Sequence, residues 1–126
     1  MHPNESVVRE MLIAHGNADE ARLVDLMTDD VVYHIPGDNA LSGTYTGRDE
    51  VFRLLARQVN IIGRRFVPEF KEILACDYHV IVLADTVHHS LSYRMANVYH
   101  LRHEQISECW IGVTDGMLDF DRFWSA

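Results

Sequence analysis

Between Asp29 and Phe52 the chain reads DDVVYHIPGDNALSGTYTGRDEVF, which sets a strand, a sharp break, a glycine-punctuated loop and a helix in one order. Val31 to Ile35 is rich in β-branched and aromatic residues, and Pro36-Gly37 ends the run, as a strand boundary requires. Thr46-x-x-Asp49 has the form of a capping box ahead of Val51, Phe52, Leu55 and Val59. A helix is therefore predicted to begin near Gly47.

On either side of this stretch the hydrophobic period differs. Upstream, Val7, Val8, Met11, Leu12 and His15 recur at helical spacing, with Asn4 or Ser6 as the N-cap. Asn17-Ala18-Asp19 interrupts that helix, and Leu23, Leu26 and Met27 form the apolar stripe of a short second one. Downstream, Phe66 to Ala75, His79 to His89, Tyr93 to Arg102 and Ile106 to Thr114 are strand-like runs. Their turns are predicted at Cys76-Asp77-Tyr78, Ser90-Leu91-Ser92 and His103-Glu104-Gln105. Asp115 is predicted to cap a closing helical turn that brings Met117, Leu118, Phe120, Phe123 and Trp124 to the core. Three helical segments followed by consecutive hairpins give an α+β fold, with helices on one face of an antiparallel sheet.

With 126 residues, 48% of them hydrophobic, the chain suits a single domain over 1–126 with a substantial core. A net charge of -8 argues against a nucleic-acid partner, because phosphate binding needs a basic footprint. MHPNESVVREML lacks the basic and continuous apolar regions of a signal peptide, and no apolar run is long enough for a membrane helix. Cys76 and Cys109 make neither a CxxC nor a zinc spacing, which fits reduced thiols and a cytoplasmic location. Eight histidines invite a metal reading, above all His88-His89 and His100-x-x-His103. Adjacent strand residues face opposite ways, and the second pair straddles a turn, so no metal and no cofactor is expected.

The order of motifs resembles the SnoaL-like branch of the NTF2-like superfamily. The resemblance is carried by Asp29-Asp30-Val31-Val32, the Tyr33-His34-x-Pro36-Gly37 turn, Ser42-Gly43-Thr44-Tyr45-x-Gly47-Arg48, Trp110, and Asp115 with Phe120-Asp121-x-Phe123-Trp124. It implies a cone, with a curved antiparallel sheet wrapped over three N-terminal helices and an internal apolar pocket. Comparison with ketosteroid isomerase, a member of that superfamily, puts Tyr33 and Ile35 on the pocket side and His34 on the other. Ile35 then stands where that enzyme carries its general base, Met11 where it carries an oxyanion-hole tyrosine, and Asn97 where it carries an acid that donates a hydrogen bond. Neither isoleucine nor methionine accepts a proton, which disfavours steroid isomerisation. The acid associated with SnoaL-type cyclases next to the last-strand tryptophan is also out of place. Glu108 belongs to the opposite face from Cys109 and Ile111 unless a bulge shifts the register.

Strand parity and the resemblance together predict a pocket lined by Met11, Tyr33, Ile35, Val82, Ala84, Asn97, Tyr99 and Ile111. The expected ligand is a small hydrophobic, carbonyl-bearing molecule. In an enzyme of isomerase, aldol-cyclase or hydrolase type, Asn97 would be the oxyanion donor and Tyr33, Tyr99 or His34 the proton handler. A ligand carrier without turnover and a homodimeric interaction module with a vestigial pocket are the alternatives. Trp110, on the parity opposite the pocket, marks the convex sheet face as a dimer surface.

Overall fold

The computed structural model describes residues 1–63 and 68–125. In chain order the elements are α1 (Pro3–Gly16), α2 (Glu20–Leu26), β1 (Met27–Ile35), β2 (Gly43–Thr46), α3 (Arg48–Ile62), β3 (Glu69–Ala75), β4 (His79–His88), β5 (Leu91–Arg102), β6 (Gln105–Trp110), β7 (Val113–Asp115) and α4 (Met117–Trp124). The strands form one curved sheet in the order β2-β1-β6-β5-β4-β3, with β7 added beside β5. Every pairing is antiparallel except β1 with β6, which run parallel. The architecture is the expected α+β cone. Phe66, the expected start of β3, lies outside the described residues.

The helices cover one face of the sheet because their apolar stripes match it. α1 buries Val8, Met11 and Ala14, and α3 buries Val51, Leu54 and Leu55. Opposite them, β4 buries Val80, Val82, Ala84 and Thr86, every second residue, and β5 buries Tyr93, Asn97, Tyr99 and Leu101 on the same alternation, with Met95 between the first two only partly buried.

Several local expectations change. α1 is capped by the His2 side chain with Pro3 at the first helical position, not by Asn4 or Ser6. Asn4 instead turns inward and donates from Nδ2 to the Cys76 and Asp77 carbonyls of the β3–β4 turn. α2 is capped by Asp19, and Met27 belongs to β1, whose start precedes Val31 by four residues. The Thr46–Asp49 capping box is not formed. Gly47 is the N-cap at positive φ, and Glu50 reaches back to accept from the Thr46 N–H.

The turn predicted at Ser90-Leu91-Ser92 closes one residue earlier, with His88 facing Leu91 across His89-Ser90. The single strand predicted over Ile106–Thr114 is two strands, broken at Ile111-Gly112. There the chain passes so close to β5 that a Cβ on Gly112 would stand 2.6 Å from the Ala96 carbonyl oxygen, while the Gly112 carbonyl accepts from the Ala96 N–H. Asp115 is paired with Arg94 in β7 and caps nothing, and α4 starts from Gly116 in the left-handed region.

Two side chains then fasten α4. Asp119 accepts from the Ser92 N–H, and Asp121 accepts from the Asp38 N–H and the Asn39 amide. The Pro36-Gly37 turn is thereby held against the last helix. Arg48 bonds the Val24 and Met27 carbonyls and pairs with Asp29, which locks the α2–β1 junction.

Candidate functional site

Between the sheet and the helices lies a cavity of about 230 Å³. α1 contributes Met11, Leu12 and His15 to its wall, and α3 contributes Leu55, Gln58, Val59 and Ile62. Tyr33 and Ile35 of β1 line the opposite side, with Met95, Asn97 and Tyr99 of β5. Ile111, from the break after β6, and the α4 aromatics Phe120 and Trp124 complete much of the remainder. The lining is predominantly apolar with a few polar groups, the composition of a small-molecule site.

Tyr33, Cys109 and Tyr99 sit opposite one another on three neighbouring strands, β1, β6 and β5. All three are buried. Burial drives the Tyr33 phenol well above its ordinary pKa, with Cys109 adding to it. Burial does the same to Tyr99, with Cys109 and Tyr33 as further causes. It also raises the Cys109 thiol, against a smaller opposing effect of Tyr99. Both phenols are therefore protonated donors at neutral pH, and Cys109 is a thiol rather than a nucleophilic thiolate. The Tyr33 hydroxyl stands 3.9 Å from the Met11 sulfur, a weak acceptor.

Asn97 is only 6% exposed, and its Oδ1 is enclosed with no partner among the described residues. A buried amide oxygen in that state is costly, by about 1–3 kcal/mol. His15 is a second polar group of the wall, and its Nε2 is likewise enclosed without a partner among the described residues. Burial lowers the His15 pKa, while a hydrogen bond to the Leu55 backbone acts in the opposite sense. The ring is neutral at physiological pH.

Six of the eight expected lining residues, Met11, Tyr33, Ile35, Asn97, Tyr99 and Ile111, are in the wall of this cavity. Val82 and Ala84 are not. They share the inner face with Asn97 but are fully buried in the core, outside the cavity wall. Alternation gives the face of a residue, whereas the cavity lies only where the helices stand off that face.

His34 points to the outer side of the sheet. Its Nε2–H donates to Glu108 at 2.6 Å, its Nδ1 is 3.2 Å from the Thr44 hydroxyl, and its ring stacks on Trp110. Glu108 stays outside even though β6 does carry a bulge. The register slips at Ser107, so that Ile106 faces Leu101 and Glu108 faces His100. The slip brings Ile106 inward and leaves Glu108 with His34. Among the described residues no cluster of three or more His, Cys, Asp or Glu is arranged to hold a metal ion. No described helix is long and apolar enough to cross a membrane.

His15 went unnoticed as a site residue in the sequence, where it reads as one more position of an apolar helical stripe. The available signal was its spacing of four from Met11, which puts the two on one helix face.

A family model described as SnoaL-like domain matches residues 8–109. A search of curated proteins finds no match. Among solved structures, Bal32a from a soil-derived mobile gene cassette is 20% identical with a TM-score of 0.81, covering 97% of this chain and 96% of that one. An NTF2-like protein from Burkholderia xenovorans is 20% identical at a TM-score of 0.73, covering 97% and 95%. A protein of Kribbella flavida proposed to be a ketosteroid isomerase is 13% identical at a TM-score of 0.68, covering 90% of this chain and 78% of its own. At these identities the likeness establishes the fold.

Proposed function

The chain belongs to the SnoaL-like domain family, and from that premise we propose that its cavity binds a small hydrophobic molecule by a carbonyl oxygen, with the Asn97 amide as the central polar anchor. The observation that carries this is the Asn97 amide, buried in the wall of a largely apolar cavity; its unpartnered atom among the described residues is the acceptor Oδ1, and a half-turn of the amide puts NH2 in that place. Its NH2 group donates to a carbonyl or to an enolate. The protonated Tyr33 and Tyr99 phenols supply further donors on the same wall. Donors from Asn97, Tyr33 and Tyr99 gathered on one oxygen polarise a carbonyl, the common requirement of isomerase, aldol-cyclase and hydrolase chemistry. His34 has no part in this reading, since its partners are on the outer face.

The protein is proposed to act as a homodimer through the convex sheet face. Ile81, Val98 and Trp110 follow one another across β4, β5 and β6 on that face, and Trp110 is 38% exposed. Free thiols at Cys76 and Cys109 accord with a cytoplasmic setting.

The test is calorimetric titration of the intact chain with 2-acetonaphthone. Asn97→Leu is expected to bind about tenfold more weakly than wild type, the loss of roughly one buried hydrogen bond, and to keep its affinity for 2-methoxynaphthalene, which has no carbonyl. Equal affinity of the two proteins for the ketone would leave Asn97 a structural residue.

A further inference from the structure

Among the described residues of the cavity wall, the groups able to take up or release a proton are His15, Tyr33 and Tyr99. The two phenols are donors with no accessible ionisation near neutral pH, for the burial reasons given above. His15 is the only one of the three that presents a basic lone pair. Its Nε2 is buried without a partner among the described residues, a state that a donor arriving with a ligand would relieve.

The position of His15 adds a second argument. Together with Leu55 and Val59 it also walls a smaller cavity of about 50 Å³ between α1, α2 and α3, whose lining includes the exposed Glu20. His15 thus lines both the interior cavity, where Tyr33 and Tyr99 are the other titratable groups among the described residues, and an outer crevice with a carboxylate.

We infer that His15 is the acceptor for a hydroxyl group of the ligand, so that the substrate class is an apolar molecule carrying a phenolic or enolic hydroxyl in addition to the carbonyl assigned to Asn97. This rests on the carbonyl-binding role proposed for the cavity. The ligand O–H donates to Nε2. If the proton transfers along that bond, the O–H electron pair stays on the ligand oxygen and the ring becomes imidazolium; its return restores both.

Three probes separate the two ideas in the intact chain: 2-naphthol with a hydroxyl, 2-acetonaphthone with a carbonyl, and 2-methoxynaphthalene with neither donor nor carbonyl. His15→Leu is expected to weaken 2-naphthol about tenfold, one buried hydrogen bond, and to leave the other two within about twofold of wild type. In wild-type protein carrying 15N-histidine, saturation with 2-naphthol is expected to move the His15 Nε2 resonance, whereas 2-methoxynaphthalene leaves it in place. This second measurement does not depend on the variant folding. An unmoved Nε2 resonance with 2-naphthol bound, or undiminished affinity in folded His15→Leu, overturns the role of His15 while leaving the Asn97 anchor standing. Failure of all three probes to bind wild type overturns both.

Discussion

Burial holds the folded-state pKa of His15 below its ordinary value of 6.5, so protonating this ring opposes folding. The unfolded chain titrates near that ordinary value, and between the two pKa values it binds more protons than the folded chain does. The stabilising effect of a neutral His15 is therefore fully present above about pH 6.5 and declines as pH falls toward the folded-state value. Urea midpoints measured at pH 7.5 and pH 5.5 should show a smaller acid loss for His15→Gln than for wild type. Equal losses would mean that His15 does not titrate differently in the two states. The same residue illustrates why the site was only partly legible. Asn97 was reachable through the resemblance to ketosteroid isomerase and strand parity, whereas His15 reads as one more position of the α1 helical stripe. What separates them from ordinary positions is missing partners, and partner atoms come from distant segments.

At the scale of elements, the alternation of β4 and β5 and the stripes of α1 and α3 were readable because each is a local period that burial of one face enforces. Their ends were not. Asn4 looked like a cap, yet its amide reaches the carbonyls of Cys76 and Asp77, more than seventy residues away. Asp115 looked like another, but pairing with Arg94 keeps it in a strand. A side chain suited to capping is equally suited to any nearby backbone group, and tertiary contact selects among them. Asn4→Ala should therefore cost more than a lost surface cap, about 1–3 kcal/mol, because the buried Asn4 amide and both of its bonds to the β3–β4 turn are lost together. Urea denaturation is the measurement. A loss below about 0.5 kcal/mol, the range of ordinary surface changes, would show that the α1 tie to the β3–β4 turn is unimportant.

Across the whole molecule, the sheet has two chemically different faces. The inner one holds the cavity, and the outer one presents Ile81, Val98 and Trp110 beside the His34–Glu108 pair. A charge placed at the centre of that outer face would be desolvated by an approaching second copy. Sedimentation at micromolar concentration is expected to give twice the 14.5 kDa chain mass for wild type and a monomer for Trp110→Glu. A wild-type species at the monomer mass would remove the proposed dimer.

The sequence by itself determined the α+β class, the order of the helices, β1 and the later hairpins, and which face of β1, β4 and β5 turns inward. Those depend on hydrophobic period and on turn residues such as Pro36-Gly37, which act within a few positions of one another. Tertiary structure alone decided the parallel join of β1 to β6, the bulge at Ser107, the break at Gly112, and where the helices stand off the sheet to leave a cavity. Val82 and Asn97 show the difference. They pair directly across β4 and β5 on the same inner face, yet one is sealed in the core and the other reaches the cavity. Parity assigns a side chain to a face at short range, but the space above that face is set by helix packing, which sums many distant contacts.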